Sequence, residues 1–251
     1  ANSVMSDGKI GLILRSHRSN YGKERAGFEK LVFVGCKREK MSDNALWAVN
    51  EFSTTPAFLA DLLDRLKESE ALATGLLSEN QRRALLTATE ELNYRRATAV
   101  VGEAENKVFQ DFELCMDIST TSPFRSASNS FSQLVQQANL LLKRQHLPFN
   151  FWFNDLIVQR YNQASEGMSP HRDHIRYTHL VALVVLDGAA NFSVCEDRSG
   201  ANNKNINSQP GDVILMLAPG FSDGDKRPFH QVRNIVGPRH SFGLRYDSFA
   251  Q

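Results

Sequence analysis

The side chains best suited to chemistry lie in the last third of the chain. Ser169-Pro-His171-Arg-Asp173 places an imidazole and a carboxylate two residues apart at the entry to a β-type run. In an extended chain that spacing puts both on one face. A third candidate, His230, follows 59 positions after His171 in Arg227-Pro-Phe-His230, again at the start of a β-type run. Two imidazoles and one carboxylate on a β-scaffold form the facial set suited to non-haem Fe(II), which leaves three coordination positions open. Pro238-Arg-His-Ser-Phe-Gly-Leu-Arg245 then alternates so that Arg239, Ser241, Gly243 and Arg245 share a face. Two guanidiniums on an inner face require an anion, and their fork geometry matches a carboxylate bidentately. The spacing therefore suggests a metal site beside a carboxylate-binding site.

The elements that must position these residues change character along the chain. Lys9–Arg15 and Glu29–Cys36 read as short strands around a basic stretch, Ser16–Gly27. Thr55-Pro56 opens a helix with Phe58, Leu59, Leu62, Leu63 and Leu66 at helical spacing. Ser78-Glu-Asn-Gln81 is a capping box for a second helix. A strand is predicted over Lys107–Ile118, and an amphipathic helix from about Ser128 to His146. From Phe151 onward come strands: Asn154–Tyr161, Thr178–Leu186, Asn191–Cys195, Asp212–Leu217, Gln231–Val236 and His240–Asp247. Turn signals, including Asp187-Gly188 and Gly237-Pro238, separate them. The Asn-rich Ser199–Ser208 segment reads as a strand connection or a lid. Helices first and strands last give an α+β fold class: a double-stranded β-helix (jelly-roll) core buttressed by N-terminal helices. We expect one domain over 1–251, in which 1–150 support the fold and shape the pocket and 151–251 form the catalytic core.

Composition narrows the function. The chain has 251 residues, 41% hydrophobic and 23% charged, with 29 Lys+Arg against 28 Asp+Glu and a net charge of +1. This is a globular composition without the charge for global steering to nucleic acid. No apolar run approaches a membrane span, and Ala1–Ile10 is polar, with no secretory leader evident. Cys36, Cys115 and Cys195 form no CxxC pair, so neither a zinc ribbon nor a disulfide scaffold fits. A reducing, cytoplasmic setting is the expectation. The basic segment Arg15-Ser-His-Arg18 with Lys23, Glu24 and Arg25, and the similar Lys37-Arg-Glu-Lys40, are interrupted by acidic residues and read as solvated faces.

Taken together, Asn154-Asp-Leu-Ile-Val-Gln-Arg-Tyr161, His171-x-Asp173, Pro210-Gly-Asp212, His230 and Arg239-x5-Arg245 resemble the 2-oxoglutarate/Fe(II)-dependent dioxygenases, and within them the AlkB-like group. The resemblance covers roughly Asn154 to Tyr246. It implies His171, Asp173 and His230 as iron ligands, and Arg239 as partner of the distal carboxylate of 2-oxoglutarate. Ser241 would add a hydroxyl, with Arg245 and Tyr161 as further co-substrate contacts. For these last two, an ordinary salt bridge and a core aromatic are the alternatives. Fe(II), 2-oxoglutarate and O2 are the implied cofactors and co-substrates. The implied reaction hydroxylates an organic substrate while 2-oxoglutarate becomes succinate and CO2.

Gln159 stands where the AlkB-like pattern has Asn, and Ile175 where base-repairing members carry an acidic contact. A small or medium organic substrate is therefore the first expectation. An AlkB-type demethylase of nucleic acid or protein is the second. A cupin-like metal-binding module without activity is the third, and it would leave Arg239 and Arg245 without a role. No membrane partner is expected. His174, His179 and His240 read as structural.

Overall fold

The computed structural model describes residues 43–250. The expected strands Lys9–Arg15 and Glu29–Cys36 and the basic stretch between them lie outside these residues. Four α-helices run over Asp43–Leu46 (α1), Pro56–Ser69 (α2), Glu79–Ala88 (α3) and Pro123–Leu141 (α4). The first six strands are β1 (Ala71–Gly75), β2 (Arg95–Arg96), β3 (Val100–Val101), β4 (Val108–Asp111), β5 (Glu113–Cys115) and β6 (Asp155–Tyr161). Then follow β7 (Gly167–His171), β8 (Tyr177–Cys195), β9 (Lys204–Ile206), β10 (Asp212–Leu217) and β11 (Phe229–Asp247).

All pairings are antiparallel, and the sheet order is β1-β10-β8-β11-β6-β5-β2. β7 pairs with β11 and β4, and β9 with β8. The two 19-residue strands β8 and β11 belong to both walls of the jelly roll. Their Val181–Val185 and Ser241–Arg245 segments pair in one wall, and their Asn191–Cys195 and Phe229–Arg233 segments in the other. The Asp187-Gly188 and Gly237-Pro238 signals, expected as turns, are instead bends inside these strands, marked by register shifts and by positive φ at Gly188 and Gly237. Such irregularities bend a strand without ending its pairing.

Alternation explains the core. Leu180, Ala182, Val184 and Leu186 of β8 face one cluster together with Val213, Leu215, Leu217, Phe242 and Leu244. The same cluster contains Leu59, Leu63 and Leu66 of α2 and Phe124, Phe131 and Leu134 of α4, so a helical layer covers this face. Val181, Val185, Ile214 and Met216 point the other way, into a second cluster with Tyr161, Phe192 and Val232. Both faces are buried, so these strands read as nearly continuous apolar runs rather than alternating ones.

Local signals set most boundaries. Thr55 Oγ1 accepts from Phe58 N–H (3.2 Å), and Ser78 and Gln81 form both arms of the capping box. α4 begins at Pro123 rather than near Ser128, behind the N-cap Ser122, and ends at Leu141 rather than His146. Asn139 Oδ1 accepts from the N–H groups of His146 (3.0 Å) and Leu147 (3.2 Å), which turns the chain back. The strand expected over Lys107–Ile118 is two strands, because the chain crosses at Phe112 from pairing with β7 to pairing with β6. The Ser199–Ser208 segment supplies β9. Among the described residues, no helix is long and apolar enough to cross a membrane.

Gly188 sits at φ 74°, and a Cβ there would lie 2.4 Å from Pro238 O and 2.7 Å from Arg239 Cα. Gly188→Ala is expected to cost about 1–3 kcal/mol of stability in urea unfolding, through backbone strain and overpacking.

Candidate active site

His171 and His230 meet because β7 and β11 pair them directly opposite each other. Their rings lie 4.2 Å apart between centroids, and Phe192 stacks on His230 at 5.6 Å. Each ring is oriented from behind. His171 Nδ1 lies 2.8 Å from Ser169 O and His230 Nδ1 lies 3.2 Å from Pro228 O. A carbonyl can only accept, so each neutral ring carries its proton on Nδ1 and turns the Nε2 lone pair toward the other ligand candidates.

Asp173 completes the cluster, but not from a strand as the spacing suggested. β7 ends at His171, and Asp173 lies in the connection to β8. Its Oδ1 is 3.9 Å from His171 Nε2 and 3.8 Å from His230 Nε2, too long for hydrogen bonds. One donor atom from each of the three residues lies within 4.8 Å of the others. Two unprotonated imidazole nitrogens and a carboxylate oxygen converging without bonding one another fit a divalent metal ion of the Fe(II) type.

The electrostatics agree. Burial pushes His171 down to about 3 and lowers His230 as well, so both rings are neutral, as metal ligation requires. Burial alone would raise the Asp173 carboxyl, but the Arg245 guanidinium outweighs it and keeps it ionised. Arg245 Nε donates to Asp173 Oδ2 at 2.9 Å, which leaves Oδ1 free. Gly243 makes this possible, since a Cβ there would stand 2.8 Å from Arg245 Nη1.

Arg239, Ser241, Gly243 and Arg245 share the inner face of β11, as alternation predicts. Arg239 is 2% exposed, and Ser241 is fully buried. Among the described residues, Arg239 has one hydrogen bond, from Nη1 to Ser241 Oγ at 3.2 Å, and no carboxylate partner. Its guanidinium carbon lies 5.3 Å from the centre of the Tyr161 ring, and β6 pairs Tyr161 with Arg239. Burial lowers the pKa of Arg239 and raises that of Tyr161. Tyr161 also lines a narrow cavity shared by His171, Asp173, His230 and Arg245. Met168 and Met216 in its walls are unbranched and can adapt to an occupant. A sealed guanidinium with no anion of its own fits the far carboxylate of a dicarboxylic acid.

Of the seven residues singled out in the sequence, His171, Asp173, His230, Arg245 and Tyr161 line one cavity, and Arg239 and Ser241 adjoin it behind Tyr161. Of the other described histidines, His174 is exposed and lines the rim of a cleft that reaches His171 and Asp173, and His240 pairs with Arg160 on the opposite side of β11. His146 bridges Asp64 of α2 (2.7 Å) and Ser222 (2.5 Å). Sequence reasoning did not find Arg172, Arg198 and Arg227. They line a larger cleft of about 610 Å³ that opens onto His171 and Asp173. Arg172 stands inside the His-x-Asp motif and Arg227 three residues before His230, and only this adjacency could have marked them.

No family model matches the sequence, and no curated protein matches it. Solved structures do. A prolyl hydroxylase from Trichoplax adhaerens, in complex with a hypoxia inducible factor oxygen degradation domain peptide fragment, aligns over 78% of this chain and 94% of its own, with TM-score 0.58 and 12% identity. A Pseudomonas putida prolyl-4-hydroxylase aligns over 76% and 99%, with TM-score 0.52 and 16% identity. An oxidoreductase of the 2OG-Fe(II) oxygenase family from Burkholderia pseudomallei aligns over 76% and 90%, with TM-score 0.50 and 12% identity. The chain therefore has the jelly-roll fold of the 2-oxoglutarate/Fe(II) oxygenases.

The buried neutral imidazoles have a measurable consequence in metal-free protein. An unfolded histidine takes up a proton near pH 6.5, whereas folded His171 does so only near 3. The unfolded state thus binds more protons between these values, and stability falls as pH drops below about 6.5. His171 alone is expected to contribute a loss of about 2 kcal/mol by pH 5. Urea unfolding of the apoprotein at pH 7 and pH 5 measures it, and His171→Gln should flatten the difference.

Proposed function

We propose that this protein is an Fe(II)- and 2-oxoglutarate-dependent oxygenase that hydroxylates an organic substrate. The observation that carries the reading is the His171–Asp173–His230 cluster on the same inner surface as Arg239, a buried cation without an anion. Structural likeness to 2-oxoglutarate oxygenases supports it.

His171 Nε2, Asp173 Oδ1 and His230 Nε2 would hold the iron. When bound, Fe(II) supplies O2 activation coupled to conversion of 2-oxoglutarate to succinate and CO2, and the oxidising equivalent hydroxylates the substrate. The remaining tasks fall to the chain itself. The Ser169 and Pro228 carbonyls fix the tautomer and aim of the two rings. Arg245 keeps Asp173 ionised and holds its second oxygen, so that one oxygen faces the metal position. Arg239 and Ser241 would bind the distal carboxylate of 2-oxoglutarate beside Tyr161. Val181, Phe192, Ile214 and Val232 exclude water around these groups.

The AlkB-like assignment belongs to this proposal, on the Asn154–Tyr161 and Arg239-x5-Arg245 pattern. So does the division of labour, with residues 151–251 as catalytic core and the chain before them as support, in which the α2 and α4 layer buttresses the sheet. The buried free thiols Cys115 and Cys195 suit a reducing compartment, and we place the protein in the cytoplasm. Its partner is a small or medium organic molecule, a peptide side chain included.

With Fe(II), ascorbate and 2-oxoglutarate in air, the protein is expected to form succinate slowly even without substrate. Asp173→Ala should lower that rate more than about 100-fold, beyond what loss of a supporting group costs. A wild-type protein that binds metal but forms no succinate would instead be a metal-binding module.

A further inference from the structure

Arg172, Arg198 and Arg227 have no task in the reaction so far. All three line the 610 Å³ cleft that also exposes His171 and Asp173. Several arginines elsewhere find carboxylates: Arg160 meets Glu113 at 2.9 Å, Arg96 meets Asp111 at 2.8 Å and Arg176 meets Asp247 at 3.3 Å. Among the described residues, none of the three cleft arginines has such a partner within 4.0 Å.

They are also held in place. The Arg172 guanidinium carbon lies 4.1 Å from the centre of the Phe229 ring, and that of Arg198 lies 5.5 Å from the same ring. Arg198 donates to Lys107 O and Asn106 Oδ1, both at 3.3 Å. Arg227 Nε is enclosed without a hydrogen-bond partner among the described residues. Stacking on an aromatic face fixes a guanidinium in advance, which lowers the entropy lost on binding. Gathering like charges around one ring is unfavourable unless an anion is bound among them.

We propose that the substrate carries a carboxylate or phosphate group bound by Arg172 and Arg227, with Arg198 beside it. Its neutral body lies against Val108, Phe112 and Met168, which line the same cleft on the way to His171 and Asp173. This rests on the oxygenase reading above and adds the substrate's chemical class. The positive spot is small. An adjoining cleft of about 820 Å³ shares Arg172 and Arg227, and there Glu68, Glu70, Glu196 and Asp225 stand against these arginines and Lys204 and Lys226, so its charges balance. The unbalanced positive charge is confined to the 610 Å³ cleft and does not continue as a track, so the site suits a single anionic group on a small molecule. The 610 Å³ cleft is of ordinary size for such a ligand.

The test is calorimetric titration of anaerobic protein carrying Fe(II) and saturating 2-oxoglutarate. The probes are 3-phenylpropionate, phenyl phosphate and the neutral ester methyl 3-phenylpropionate. At least one anion is expected to bind about tenfold or more tighter than the ester. The stronger of the two anions distinguishes a carboxylate substrate from a phosphate one. Arg172→Gln and Arg227→Gln should each remove most of that preference, while Arg83→Gln, on exposed α3, should keep it. Anions that bind no tighter than the ester, or a preference that survives both cleft variants, would overturn the proposal. If 2-oxoglutarate itself fails to bind in the loading step, the oxygenase reading fails and takes this inference with it. Loading that succeeds without an anion preference removes the inference alone.

Discussion

A guanidinium sealed from water must find an anion or impose a large desolvation cost on the fold, and among the described residues Arg239 is sealed with one hydrogen bond, to a serine hydroxyl, and no carboxylate. Much of the surrounding architecture is arranged around that charge. Strand alternation sends Arg239, Ser241 and Arg245 inward while Phe242 and Leu244 turn to the helical layer. β6 brings Tyr161 opposite Arg239, and the bend at Gly188 leaves the backbone around Pro238 and Arg239 no room for a side chain there. A second buried cation, Arg245, is treated differently: its Nε pairs with Asp173 at 2.9 Å, while its Nη1 has no hydrogen-bond partner among the described residues. Among the described residues, the same face thus holds one arginine paired with a carboxylate and one without. On the proposed function, the first serves the metal position and the second a co-substrate.

The two long strands β8 and β11 make this possible. Because they run through both walls of the jelly roll, one strand carries His230 near its start and the Arg239–Arg245 series near its end. Register alone then sets His230 against His171, and Ser241 against Gln159. α2 and α4 cover the outer face of the wall that holds Arg239. Apolar burial on that face supplies the stability against which the polar inner surface is held.

Residue types and period-two spacing were sufficient to name the inward residues of β11, since alternation in a strand is a rigid geometric rule. Caps were equally legible at Thr55 and Ser78, where side-chain chemistry is local. What the sequence did not reveal depends on distant partners. Asp187-Gly188 and Gly237-Pro238 have turn chemistry, but strands paired on both sides carry the chain through them as bends. Lys107–Ile118 has the composition of one strand, and only the positions of β7 and β6 divide it at Phe112. Asp173 reaches the cluster from a connection rather than a strand, so its place was inferred correctly through a geometry it does not use. Arg172, Arg198 and Arg227 are scattered along the chain, and nothing in their spacing shows that they line one cleft.

The most direct test of the role of Arg239 compares two keto acids in anaerobic protein loaded with Fe(II), following the visible charge-transfer band of the chelate. 2-Oxoglutarate and 2-oxobutyrate share the chelating end, and only the first has a distal carboxylate. In the wild-type protein, 2-oxoglutarate is expected to saturate at a concentration at least about tenfold lower, and Arg239→Met should abolish that advantage. Equal saturation by the two acids in the wild-type protein, or an advantage that persists in the variant, would contradict the assignment of the buried guanidinium to a co-substrate.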